Sequence, residues 1–192
     1  MGLNLYFYRC KKDYYEQLSH DSKALSAETQ AAGARWMQQQ LLQEGPLDWF
    51  NKYGDPTPTE DYPVIQVGQW LSHVGAAYRW LVEHTELTMA DVYPVAISCE
   101  AMSALCDACK TVTSLKLNAD GGIDADVCEQ YLPAIDEANC EYYQPAMGPD
   151  YFGTSWYGEE YQEEALSVLD TLTILLKIID IENEVILVQA SW

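Results

Sequence analysis

Along the first stretch, Leu3-Asn4-Leu5-Tyr6-Phe7-Tyr8, apolar side chains recur with a period of two, which predicts a strand. From Asp13 to about Glu44 the chain is polar, rich in Gln and Ala and helix-prone, with an apolar line through Leu25, Ala32, Trp36 and Leu42. Gly45 to Pro63 holds four prolines and two glycines and predicts a loop or extended excursion inside the domain, able to bring Trp49-Phe50 back onto the core. In Val67 to His84, Trp70, Val74, Ala77 and Leu81 follow one another by fours and threes, which predicts a helix.

Tyr93 to Ile97 reads as a short edge strand, with Pro94 tolerated at its start. Ser98 then caps a helix whose buried face is Met102, Leu105, Cys109 and Val112. Asp120-Gly121-Gly122 is a turn, and a short helix from about Asp124 to Leu132 stops at Pro133. Glu141 to Trp156 is aromatic and turn-rich. The clearest helix spans Tyr157 to Asp180, striped by Tyr161, Ala165, Val168, Leu172, Leu175 and Ile179. Glu184 to Gln189 predicts a closing strand that pairs with the first. The expected class is α+β: a small antiparallel or mixed sheet including both terminal strands, with several packed helices. The 192 residues suit a single domain, 1–192.

Charge changes the picture more than composition does. The formal net charge is −20, and it is lopsided: residues 1–116 carry net −5, residues 117–192 net −15 with Lys177 the single base. Phosphate binding is driven by Lys and Arg, so direct nucleic-acid and anionic-membrane binding are excluded. A basic partner, metal ions or colloidal solubility fit instead. No apolar run reaches the ~18–20 residues of a membrane span, and the start lacks the basic, apolar form of a secretory signal. The expected location is the cytoplasm, with six reduced cysteines.

Catalytic and metal motifs are thin. Cys106-x-x-Cys109 is one close thiol pair inside a predicted helix, with Cys99, Cys128 and Cys140 isolated, whereas structural zinc wants two pairs. His20, His73 and His84 lie in no nucleophile motif, although His73 and His84 share a predicted helix. Asp120, Asp124 and Asp126 lack the spacing of a calcium loop. No catalytic residue, metal or cofactor is expected. Two residue sets remain as binding candidates. Asp136, Glu137, Glu141, Asp150, Glu159, Glu160, Glu163 and Glu164 suggest an anionic partner-binding surface. Tyr142, Tyr143, Tyr151, Phe152, Trp156 and Tyr157 suggest an aromatic pocket able to stack a base.

Both ends carry a pattern. The opening Met1-Gly2-Leu3-Asn4-Leu5-Tyr6 is similar to the M-G-L-D-M-Y start of an uncharacterised family of small phage and bacterial proteins. Val188-Gln189-Ala190-Ser191-Trp192 resembles that family's Y-Q-S-S-W end, and Tyr151 to Tyr157 resembles its F-F-G-S-T-x-Y segment. Val67-Gly68-Gln69-Trp70 and Arg79-Trp80-Leu81-Val82 resemble its tryptophan-containing helix, which carries Asn and His where this chain has Gly75 and Tyr78. The resemblance implies a phage or mobile-element setting and no enzymatic activity, and any polar site of the relatives at that helix is lost here. Together with the charge, it leads to the expectation of a nucleic-acid mimic that blocks a basic nucleic-acid-binding host protein, as an anti-CRISPR or anti-restriction inhibitor. The alternative is a protein that sequesters a small ligand or nucleotide signal in the aromatic pocket.

Overall fold

The computed structural model describes residues 3–41, 57–87, 93–143 and 148–191. Strands β1 (Asn4–Lys11) and β4 (Glu184–Ser191) pair antiparallel over their whole length, from Asn4 opposite Ser191 to Lys11 opposite Glu184. β2 (Val64–Ser72) takes the other side of β1, and the three-residue β3 (Val95–Ile97) takes the other side of β4. Among the described residues the order is β2-β1-β4-β3, antiparallel throughout, so the fold is α+β with both terminal strands side by side at the centre.

Central position explains the composition of β1 and β4. A strand covered on both faces reads as a nearly continuous apolar run. Leu5, Phe7, Ile186 and Val188 face helices α3 (Gly75–His84), α4 (Cys99–Thr113) and α7 (Glu159–Ile178). Tyr8, Cys10 and Leu187 point the opposite way, towards Leu25 and Ala32 of α2 (Ser22–Leu41). The stripe of α7 is buried at Tyr161, Ala165, Val168, Leu172 and Leu175, each large aliphatic side chain contributing about 1.5–3 kcal/mol. Ser98 caps α4 by accepting from the Ala101 N–H at 3.1 Å. Asp124 caps α5 (Ala125–Tyr131) through the Asp126 and Val127 N–H groups, a use that accounts for one aspartate of the calcium-like triplet.

Two expectations need correction. Val67 to His84 is not one helix: residues to Ser72 belong to β2, a turn follows, and α3 begins at Gly75. The helical spacing is a coincidence of packing, because Val67 and Leu71 lie four apart yet face the same core from a strand. Between Leu5 and Phe7 of β1 the partner positions on β2 run from Leu71 to Val67, so β2 carries an irregularity that breaks its period of two. Likewise the polar stretch from Asp13 splits into α1 (Lys12–Leu18) and α2, and Asp21 accepts from Lys23 and Ala24 N–H to start the second helix. Trp49 and Phe50 lie outside the described residues.

Candidate functional site

The turn between β2 and α3 is built around a strap of chain from further along. His73 takes φ 58°, a left-handed conformation uncommon for a residue with a side chain. Its N–H donates to the Leu3 carbonyl at 2.9 Å, the Leu3 N–H donates to Tyr151 at 2.8 Å, and the Gly75 N–H donates to Phe152 at 2.6 Å. Residues 151–153 are thereby tied to the start of β1 and to α3. Gly75 is required by contact: a Cβ there would sit 2.4 Å from the Phe152 carbonyl oxygen. Gly153 is required twice over, by φ +106° and by a Cβ position 1.9 Å from the His73 carbonyl oxygen.

Beside this strap, at the N-terminal end of α7, lies an open cleft of about 650 Å³. Ser72 and His73 come from the β2–α3 turn, Asp150 from a 3-10 turn (Pro149–Tyr151), and Gly153, Thr154 and Ser155 from the strap. Glu160, Glu163 and Glu164 come from α7. Among the described residues no Lys or Arg lines it, and Asp150, Glu160 and Glu163 are exposed. The cleft is suited to an ammonium or guanidinium group, or to a run of them.

Glu164 differs from its neighbours. It lies three residues after Tyr161 and four before Val168, on the buried side of α7, and is only partly exposed. On its inner side Val74, Ala77, Leu132 and Val168 line a small apolar void. It accepts the Thr154 N–H at 2.9 Å. Burial pushes its carboxyl up to about 8, with the Thr154 N–H pulling the other way and the Glu160 charge adding to the rise.

The eight candidate acids divide into two groups. Asp150, Glu160, Glu163 and Glu164 converge on the cleft at the start of α3, and Glu159 is exposed in the first turn of α7. Asp136, Glu137 and Glu141 belong with α6 (Cys140–Tyr143), whose Tyr143 hydroxyl donates to Glu83 near the other end of α3. The ten residues of α3 put about 15 Å between its ends. Glu137 and Glu141 are exposed, whereas Asp136 accepts the Ala138 and Asn139 N–H groups at 2.9 and 3.1 Å as a structural cap.

The aromatic candidates differ widely in burial. Tyr143 and Phe152 are buried in the core. Tyr157 is half-buried, its hydroxyl bonded to Glu129 and accepting the Ala134 N–H, its ring edge-on to Tyr161. Tyr142, Tyr151 and Trp156 are exposed, and none of the six lines the cleft. Cys106 and Cys109 are both buried on α4, Cys10, Cys128 and Cys140 are buried too, and Cys99 is half-exposed. Among the described residues no group of three or more His, Cys, Asp or Glu side chains is arranged to hold a metal ion. His84 stacks on Trp80, and His20 is exposed.

Sequence reasoning missed Ser72, His73, Gly153, Thr154 and Ser155. The spacing of Glu164 from Tyr161 and Val168 was a readable sign that this glutamate differs from Glu160 and Glu163. No helix among the described residues is long and apolar enough to cross a membrane. No family model, no curated protein and no solved structure matches the chain.

Proposed function

We propose that the protein is a binding protein without enzymatic activity, whose anionic face occupies a basic, nucleic-acid-binding surface of another protein. The observation that carries this reading is the cleft: carboxylates from the 3-10 turn and from α7 converge there, and among the described residues no Lys or Arg lines it. Carboxylates held on a rigid helix and a strapped loop can stand in for phosphates against Arg and Lys, steering association and excluding the nucleic acid. A phage origin and an anti-CRISPR or anti-restriction target form the finer part of the proposal, and they rest on the resemblance of the termini and of residues 151–157. The aromatic-pocket alternative has less support, since Tyr143 and Phe152 are core residues.

The test uses a basic nucleic-acid-binding protein captured from bacterial lysate, with DNA as competitor. The triple replacement E159Q/E160Q/E163Q is expected to slow association and flatten its salt dependence, exposed charges being screened within about 8 Å at physiological ionic strength. D13N/E16Q, away from the cleft, is expected to change little. Equal loss from both sets, or capture unaffected by DNA, overturns the reading.

A further inference from the structure

Between Phe152 and Tyr157 the chain is held at both ends, and in the middle the Trp156 ring rests against Gly121 and Gly158. Phe152 is buried and its carbonyl accepts from Gly75, while the Tyr157 carbonyl accepts from Ile123 at 2.9 Å. Within the turn the Trp156 N–H donates to Thr154 Oγ1 at 3.2 Å, a bond internal to it. Among the described residues, the bond from the Thr154 N–H to Glu164 is the one hydrogen bond tying this turn to another element. Gly153, at φ +106°, lies at the boundary between the anchored strap and the turn.

We propose that Gly153–Trp156 is a lid on the cleft, hinged at Gly153 and latched to α7 through Glu164, and that the charge on Glu164 sets how firmly the latch holds. The groups facing Glu164 are Glu160 and Glu163 from its own helix, Asp150 from the 3-10 turn and His73 from the β2–α3 turn. Among the described residues the one titratable neighbour on the inner side is Tyr161, whose hydroxyl donates to the Leu132 carbonyl, and no Lys or Arg lines either space. Burial dominates and pushes the closed carboxyl up to about 8. With the lid open the carboxyl is hydrated and returns towards its ordinary value of 4.5. The closed state therefore keeps a proton that the open state gives up. Closure is fully favoured below the open-state value, weakens as pH rises, and is weakest above the closed-state value. The device belongs to the free protein and does not depend on what the cleft binds.

Amide exchange at Thr154, followed by NMR from pH 5 to 8.5 and corrected for the intrinsic rate, tests it in the wild type, E164Q and E160Q. Wild-type protection is expected to fall by up to about tenfold per pH unit, the limit for a single proton, between the open-state and closed-state values and to level off above about pH 8. E164Q has nothing to ionise there and is expected to give a flat profile. E160Q removes a neighbouring negative charge, so levelling should come at lower pH. The Glu164 carboxyl-carbon titration reads the same event without a mutation, should E164Q disturb the fold. Identical slopes in the wild type and a folded E164Q, or a Glu164 carboxyl titrating near the ordinary carboxylate value, overturn the proposal.

Discussion

Arg9 and Glu184 form a bidentate ion pair, Nε to Oε2 at 2.7 Å and Nη2 to Oε1 at 2.8 Å, with both side chains almost wholly buried. The pair joins β1 to the start of β4, and Glu184 also accepts the Asp180 N–H that closes the turn out of α7. Removing one partner takes the opposing charge away from a buried ion. E184Q or R9M is expected to cost about 3–5 kcal/mol in urea unfolding. Replacing both with apolar residues of similar volume should cost much less, and a double mutant as unstable as either single one would contradict this.

Glycine substitutions should sort by contact. G153A forces an unfavourable φ and a collision with the His73 carbonyl, and G75A collides with Phe152. Each is expected to lose at least about 1–3 kcal/mol, visible as a lower Tm. G148A has nothing among the described residues within 4 Å of its new methyl and should melt like the wild type.

Glu164 gives global stability a sign with pH. Its folded-state value of about 8 lies above the ordinary 4.5, so the unfolded chain ionises first. Wild-type stability relative to E164Q should be greatest below the ordinary carboxylate value and decline as pH rises towards 8. Paired denaturation curves at pH 4.5, 6 and 8 check this, and a gap widening in the opposite direction refutes it.

The cysteines should be inert in the folded protein. Burial pushes Cys10 and Cys109 up to about 12 and Cys128 up to about 11, and the thiolate is the nucleophile. Alkylation at pH 7.5 is expected to reach Cys99 alone, slowly, and all six only in denaturant. Elemental analysis should find no stoichiometric zinc, and a chelator should leave Tm unchanged.

Truncating residues 184–192 removes β4, half of the Arg9 pair and the inner side chains Ile186 and Val188. The shortened chain is expected to lack a cooperative melt, because β1 would keep only one partner.

Legibility followed how local each cause was. α7 and α4 were readable because stripes such as Tyr161-Ala165-Val168 and Met102-Leu105-Cys109 meet the core at helical spacing, and because Ser98 caps within three residues. β2 was misread because Trp70, Val74, Ala77 and Leu81 keep helical spacing across a strand, a turn and a helix, and a register irregularity removed the period-two signal. The acids of α7 and Asp150 were readable as a group, but the cleft was not. It exists because Phe152 and Gly153 pack against Gly75 and His73, a segment far away in the sequence, and such contacts leave no periodic trace. Arg9 and Glu184 were invisible as a pair for the same reason: each looks like an ordinary charged strand residue until register places them together.

The strand order also sets a schedule for biogenesis. During synthesis β1 emerges first and can zip to β2 once about seventy residues are out, since hairpin-type pairing is fast once its partner is present. Its other edge must wait for β4, whose Glu184 lies 175 positions beyond Arg9. Throughout that interval β1 carries an open row of backbone donors and acceptors, the form most prone to pairing with a neighbouring polypeptide. The heavy negative charge of the segment made while β1 waits works against that pairing through mutual repulsion between chains.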